Sequence, residues 1–189
     1  MIGIDEVGRG CWAGPILVVA AREISQLPAG LKDSKKLTKR QRHNLQAGIK
    51  LSCKLGEGWV SAKEIDALGL TAATRLGVKR ALEALNASPK EQIIMDGTIN
   101  YVPDTYLNVR CVARADDTYP IVSAAAIYAK VTRDNYMSVI AHKNFPLYRF
   151  DSHVGYGTAL HQAVLKLYGV SEIHRLSYKP VKLVKELTS

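Results

Sequence analysis

The chain is short of acid and short of cysteine. Against 26 Lys and Arg stand only 17 Asp and Glu, which leaves a net charge of +9 over 189 residues. The three cysteines, Cys11, Cys53 and Cys111, are far apart, odd in number and free of any C-x-x-C pair. That spacing excludes a zinc ribbon and a disulfide framework, and a reducing cytoplasm is the expected location. No apolar run approaches the roughly 20 residues of a bilayer span, so no membrane association is expected. The first residues lack the basic and long apolar segments of a signal peptide. His153, His161 and His174 show no H-x-x-x-H spacing and read as structural or surface residues rather than metal ligands. There is no internal repeat, low-complexity tract or linker.

What is present is a globular composition, 47% hydrophobic, of a length that suits one domain with a sizeable core. The basic surplus favours a polyanionic partner such as nucleic acid. Residues 1–5 and 14–21 read as buried strands joined by a glycine-rich turn. Thr38 caps a helix through about residue 50, and 51–60 reads as a strand weakened by Gly56 and Gly58. Leu70 to Asn86 is an amphipathic helix with Leu70, Ala73, Gly77, Ala81 and Leu85 on one face. Residues 92–96 and 107–113 are further strands. Ile121 to His142 reads as one long helix whose buried stripe is Val122, Ala125, Ala129, Tyr136 and Ile140. Helices over about 158–168, ended by Gly169, and after Pro180 complete the chain. The pattern predicts an α/β fold: a mixed central sheet of about five strands flanked by helices, with a helical C-terminal portion from about 145.

Against the basic background, a few acids stand out. Asp5 and Glu6 end the first strand, Asp96 ends the fourth before Gly97, and Asp116 follows the fifth in Arg114-Ala115-Asp116-Asp117. Strand ends bring side chains to one edge of a sheet. Carboxylate oxygens suit hard cations such as Mg²⁺ or Mn²⁺. A pair of such ions roughly 4 Å apart can activate water and stabilise the leaving oxygen of a phosphodiester. Neighbouring strand residues point to opposite faces, so Asp5 and Glu6 meet one metal pair only if the strand ends or bends there. Asp96-Gly97 alone reads more readily as an ordinary turn than as a site. Asp117 competes with Asp116, and spacing does not choose between them.

These residues carry a resemblance. Gly3-Ile4-Asp5-Glu6-Val7-Gly8-Arg9-Gly10 with Ala13-Gly14-Pro15 resembles the opening of the type 2 ribonuclease H family, bacterial ribonuclease HII. The likeness continues through Leu31 to Leu37, Met95-Asp96-Gly97, Ala115-Asp116, Val122 to Ala125, Ala129 to Asp134, Gly155 to Thr158 and His174 to Tyr178. It spans nearly the whole chain in order. It implies an RNase H-like fold and a single catalytic domain over 1–189, whose part from about 145 contacts substrate. The implied activity is hydrolysis of the RNA strand of RNA–DNA hybrids and nicking of DNA at embedded ribonucleotides. The implied cofactor is Mn²⁺ or Mg²⁺, and the product ends are 3′-hydroxyl and 5′-phosphate.

Carried over residue by residue, the resemblance makes Asp5, Glu6, Asp96 and Asp116 the catalytic metal-binding acids. The basic Arg114 two residues before the last acid selects Asp116 over Asp117. Gly8, Arg9 and Gly10 match the loop that reads the 2′-hydroxyl, the group that marks RNA. Tyr156 matches the tyrosine placed against the sugar at an RNA–DNA junction. Lys35, Lys36, Lys130, Arg133 and Arg175 are the expected phosphate contacts, with Lys130 and Arg133 sharing a helix face. The sequence departs from the family at Cys11-Trp12, at Val154 in place of a commoner lysine, and at Ala126 and Tyr128. No extra N-terminal substrate-binding domain of the kind in type 3 relatives is expected. The expected protein is a monomeric, cytoplasmic endoribonuclease. The alternatives are a non-catalytic nucleic-acid-binding module and another nuclease of the RNase H-like superfamily.

Overall fold

The computed structural model describes residues 1–31 and 37–188. In chain order the elements are β1 (Ile2–Val7), β2 (Ile16–Glu23), α1 (Lys39–Ser52), β3 (Cys53–Val60), α2 (Ala62–Leu68), α3 (Leu70–Leu85), β4 (Gln92–Asp96) and β5 (Asn108–Val112). They continue as α4 (Ala115–Thr118), α5 (Pro120–Asn135), a π-helical stretch (Tyr136–Ala141), α6 (His142–Asn144), a 3₁₀ turn (Pro146–Tyr148), α7 (Phe150–His153), α8 (Ala159–Tyr168) and α9 (Lys179–Thr188). The chain divides into two compact units.

The first unit holds Met1–Val7, Leu17–Trp59 and Thr74–Val131. Its sheet has the order β3-β2-β1-β4-β5. β1 runs antiparallel to β2 and parallel to β4, and β4 is parallel to β5. The mixed five-stranded sheet is the one expected. β2 lies inside the sheet and six of its eight residues are buried, which explains its near-continuous apolar sequence. Leu17, Val19, Ile94, Val122, Ala125 and Ala129 share one core cluster. Thr38 opens α1 with a capping box: its hydroxyl accepts from the Gln41 amide, and the Gln41 side chain accepts from the Thr38 amide.

The second unit holds Gly8–Ile16, Val60–Ala73 and Thr132–Ser189. A core of Ala13, Met137, Ala141, Tyr148 and Phe150 anchors it. Leu165, Val181 and Val184 form a smaller cluster beneath α8 and α9.

Two expectations about helices need correction. The long helix does not stay α-helical: it passes into the π stretch at Tyr136. Wider π turns shift the face that each later residue presents. The buried stripe therefore moves to Met137 and Ala141, while Ile140 is 51% exposed. Helix α2 was not anticipated, although Ser61 and Glu64 form a capping box that marks its start.

Candidate active site

The acids gather in the first unit because of how β1 is paired. β1 stays hydrogen-bonded to β2 as far as Val7, but its parallel pairing with β4 stops at Ile4 opposite Met95. Asp5 and Glu6 thus run beyond the β1–β4 ladder, while Asp96 is the last residue of β4. The strand does not end at Asp5, as the sequence suggested; one of its two partner strands does.

Asp116 comes to the same place by a different route. Arg114 takes a left-handed backbone conformation, φ 57°, and turns the chain from β5 into α4. The Ala115 amide then donates to Asp96 Oδ1 at 2.7 Å, which ties the end of β4 to the start of α4. Asp116 is buried, and Ser123 Oγ donates to its carbonyl at 2.5 Å. Asp117 faces outward and pairs with Arg114 at 2.6 Å. The two neighbouring aspartates that spacing could not separate therefore occupy different environments.

Asp5 feels its three companions. Burial raises its proton affinity well above the ordinary carboxylate range, and the charges of Glu6, Asp96 and Asp116 raise it further. The Glu6 amide, donating to Asp5 Oδ1 at 2.7 Å, opposes that shift only in part. Among the described residues no three acidic, histidine or cysteine side chains stand as a ready-made metal cage. What the four acids supply is a set of hard oxygen donors whose mutual repulsion a divalent cation would relieve. Such a donor set fits Mg²⁺ or Mn²⁺ and not zinc.

In the second unit, the segment after β1 is a strap held by its own carbonyls. Gly8 is buried with φ 91°, and a side chain there would run into the Nε of Arg133. Arg133 donates through Nε to Pro15 O at 2.8 Å, through Nη2 to Ala13 O at 3.2 Å and through Nη1 to Val154 O at 3.0 Å. Arg175 donates to Gly14 O through Nε and Nη2, and to Arg9 O through Nη1 at 2.9 Å. Tyr178 donates its hydroxyl to the same Arg9 carbonyl. Arg133 and Arg175 are both 0% exposed. The expected phosphate contact does not match that placement: these guanidinium groups are spent on backbone oxygens.

The other expected site residues fall as follows. Gly10 is exposed and faces open space, and Arg9 is half-buried. Tyr156 is half-buried, bridged to Cys11 across an isolated β-bridge, with the Arg133 guanidinium 6.0 Å from its ring centre. Burial, with Cys11 close by, pushes the Tyr156 hydroxyl up to about 12. Lys130 is half-buried on α5. Lys35 and Lys36 lie outside the described residues. Of the departures, Tyr128 has a visible task, donating its hydroxyl to Glu57 at 2.7 Å.

The sequence offered the three histidines only as separate structural or surface residues. His153, His161 and His174 are buried together, with His153 and His161 stacked at 4.1 Å. Their sequence signal was only their position: His153 and His161 flank the Gly155–Thr158 segment, and His174 opens the His174–Tyr178 segment.

The family model for ribonuclease HII matches residues 2–181. The chain belongs to the ribonuclease HII family. The ribonuclease HII of Sphingopyxis alaskensis is 40% identical over 96% of this chain and 89% of its own length. The solved ribonuclease HII–PCNA complex of Archaeoglobus fulgidus is similar with a TM-score of 0.79 and 26% identity, covering 97% of this chain and 96% of that one. Bst-RNase HIII in complex with Mn²⁺ shares the fold at a TM-score of 0.72, with 22% identity over 100% of this chain and 70% of that one. As a member of that family, the chain is a metal-dependent endonuclease that cuts the RNA strand of RNA–DNA hybrids. Among the described residues no helix is long and apolar enough to cross a membrane.

Proposed function

We propose that Asp5, Glu6, Asp96 and Asp116 are the catalytic acids, holding Mg²⁺ or Mn²⁺ while the chain, as a single catalytic domain, cleaves at ribonucleotides. The observation that carries this reading is geometric: Asp5 and Glu6 run past the end of the β1–β4 ladder, Asp96 ends β4, and the Ala115 amide ties Asp96 to the start of the helix that carries Asp116. Bound divalent ions would supply Lewis acidity toward water and toward the leaving oxygen. The protein's own share is placement. The Ala115 amide fixes one Asp96 oxygen, and the Glu6 amide fixes one Asp5 oxygen. No covalent protein nucleophile is required. The structure of Bst-RNase HIII with Mn²⁺, on the same fold, supports a divalent ion on such a scaffold.

Substrate choice falls to the second unit. Gly8-Arg9-Gly10 reads the 2′-hydroxyl, its backbone held in place through the Arg9 carbonyl, which accepts from Arg175 and Tyr178. Tyr156 packs its ring on the sugar that follows a ribonucleotide, so a ribonucleotide embedded in duplex DNA is nicked. Lys130 contacts phosphate. The enzyme works as a monomer in the cytoplasm. The test is Mn²⁺ titration of the wild type and of Asp96→Asn by calorimetry, run beside cleavage of a hybrid. Loss of both metal uptake and cleavage in a folded variant is expected. Unchanged uptake and rate would overturn the acid assignment.

A further inference from the structure

Three imidazoles lie directly behind the Tyr156 loop, and backbone groups fix the proton on each. The Gly155 amide donates to His153 Nδ1 at 3.2 Å, so the His153 proton sits on Nε2, which donates to Tyr148 O at 2.8 Å. The Ser171 amide donates to His174 Nδ1 at 2.9 Å, which leaves the His174 proton on Nε2. That N–H points at His161 Nε2, 3.0 Å away, which must therefore be a lone pair. The His161 proton is then on Nδ1, where it donates to the Tyr156 carbonyl at 3.0 Å. One unbroken line of donors runs from Ser171 through His174 and His161 to Tyr156. All three rings are neutral in this arrangement, and each has one tautomer.

Burial supports that state. It lowers His161 to about 4 and His174 to about 3, with neighbouring imidazoles pushing in the same direction. The Tyr156 loop is also pinned from the strap side. Gly155 adopts φ 91°, and its carbonyl accepts from the Trp12 amide at 2.8 Å. A side chain at Gly155 would collide with the Ala13 carbonyl. The Trp12 ring lies 5.5 Å from that of His161.

We infer that His161 and His174 are positioning residues for ribonucleotide recognition: their ordered hydrogen-bond relay sets the Tyr156 carbonyl, and through it the ring that reads the sugar. The inference rests on the proposed role of Tyr156 as junction reader. His161 acts through Tyr156 and does not touch substrate. An asparagine at 161 can keep the one donor that matters, because its amide nitrogen lies where Nδ1 does. Leucine fills the space but donates nothing.

The experiment compares kcat/KM on a DNA duplex carrying one ribonucleotide with kcat/KM on a continuous RNA–DNA hybrid. The proteins are wild type, His161→Leu, His161→Asn, Tyr156→Ala and the His161→Leu/Tyr156→Ala double variant. His161→Leu should lose about tenfold more on the single-ribonucleotide duplex than on the hybrid, the size expected for a misplaced contact. His161→Asn should recover most of that preference, and the double variant should be no worse than Tyr156→Ala alone. If Tyr156→Ala shifts the preference and His161→Leu does not, the positioning inference is overturned and the Tyr156 reading stands. If Tyr156→Ala leaves the preference unchanged, the Tyr156 reading fails and the inference falls with it. Nitrogen-15 imidazole spectra of the wild type at neutral pH test the relay without any variant. They should show His161 protonated on Nδ1 and His174 on Nε2. A charged ring, or the opposite tautomer at His161, overturns the inference.

Discussion

Arg175 carries the carbonyl oxygen of Arg9, 166 residues away in sequence, on its Nη1 at 2.9 Å. The same guanidinium holds Gly14 O through two further nitrogens, and it is completely buried. A residue so placed stabilises the strap and does not touch phosphate. Arg175→Met should therefore destabilise the protein by more than about 3 kcal/mol, since several hydrogen bonds from a charged donor are lost and buried carbonyls are left unpaired. Arg175→Lys should rescue little, because an ammonium lacks the planar fork. Urea unfolding followed by circular dichroism reads both. A variant that melts like the wild type but binds nucleic acid with a flatter salt dependence would return Arg175 to the phosphate contacts.

Lys130 provides the contrast. It is half-buried on α5, and the proposed reading gives it a phosphate. Lys130→Glu should reduce the slope of log K against log salt by about one unit or more, with little change in folding. Fluorescence anisotropy with a catalytically dead background measures the slope. An unchanged slope would make Lys130 a surface or structural charge.

Asp96→Asn should abolish nearly all cleavage while raising metal-free stability slightly. One carboxylate charge leaves a cluster in which Asp5 already binds its proton too tightly. The neutral amide oxygen still accepts from the Ala115 amide. Melting in chelator and cleavage in Mn²⁺ test the two halves separately. A melting temperature well below wild type would show that the Asp96 charge is structural.

Two opposing pH effects follow from the shifted groups. His161 and His174 have folded values near 4 and 3, below the ordinary 6.5. Below about pH 6.5 the unfolded chain takes up protons that the fold refuses. Stability should fall as pH drops from about 6.5 toward 4, by up to about 1.4 kcal/mol per pH unit for each ring. Asp5 works in the other direction. Its folded value is raised, so the metal-free protein loses stability as pH rises from about 3.8 through that value. Asp5→Asn should remove this second effect and leave the first. Chelator-treated urea melts from pH 4 to 8 measure both; a flat profile for Asp5→Asn, in which the opposing effect is gone, would contradict the neutral, buried imidazoles.

Much of this was legible in the sequence, and the reasons are particular. β2 announced itself because a strand buried on both faces must be apolar throughout. Asp96 was visible because β4 is short, apolar and ends at Asp-Gly. Arg133 and Arg175 misled because a basic residue looks the same whether it faces a phosphate or a carbonyl of its own chain. Their carbonyl partners Ala13 and Gly14 lie 120 and 161 residues away in sequence. The π stretch after Asn135 leaves no mark in the 3.6-residue pattern until the burial of Met137 and Ala141 reveals it. The histidine relay was hidden because its spacing matches no metal motif, and only packing brings the rings together.

In the proposed reading the clustered acids make this chain a divalent-metal endonuclease that recognises ribonucleotides. The most direct measurement uses a labelled DNA duplex with one embedded ribonucleotide, incubated with the protein in Mn²⁺, in Mg²⁺ or in EDTA, beside an all-DNA duplex. Cleavage at the ribonucleotide in Mn²⁺ or Mg²⁺ is expected, leaving 3′-hydroxyl and 5′-phosphate ends, with none in EDTA and none of the all-DNA duplex. Binding without any cleavage, cleavage that persists in EDTA, or equal cutting of the all-DNA duplex would contradict the account.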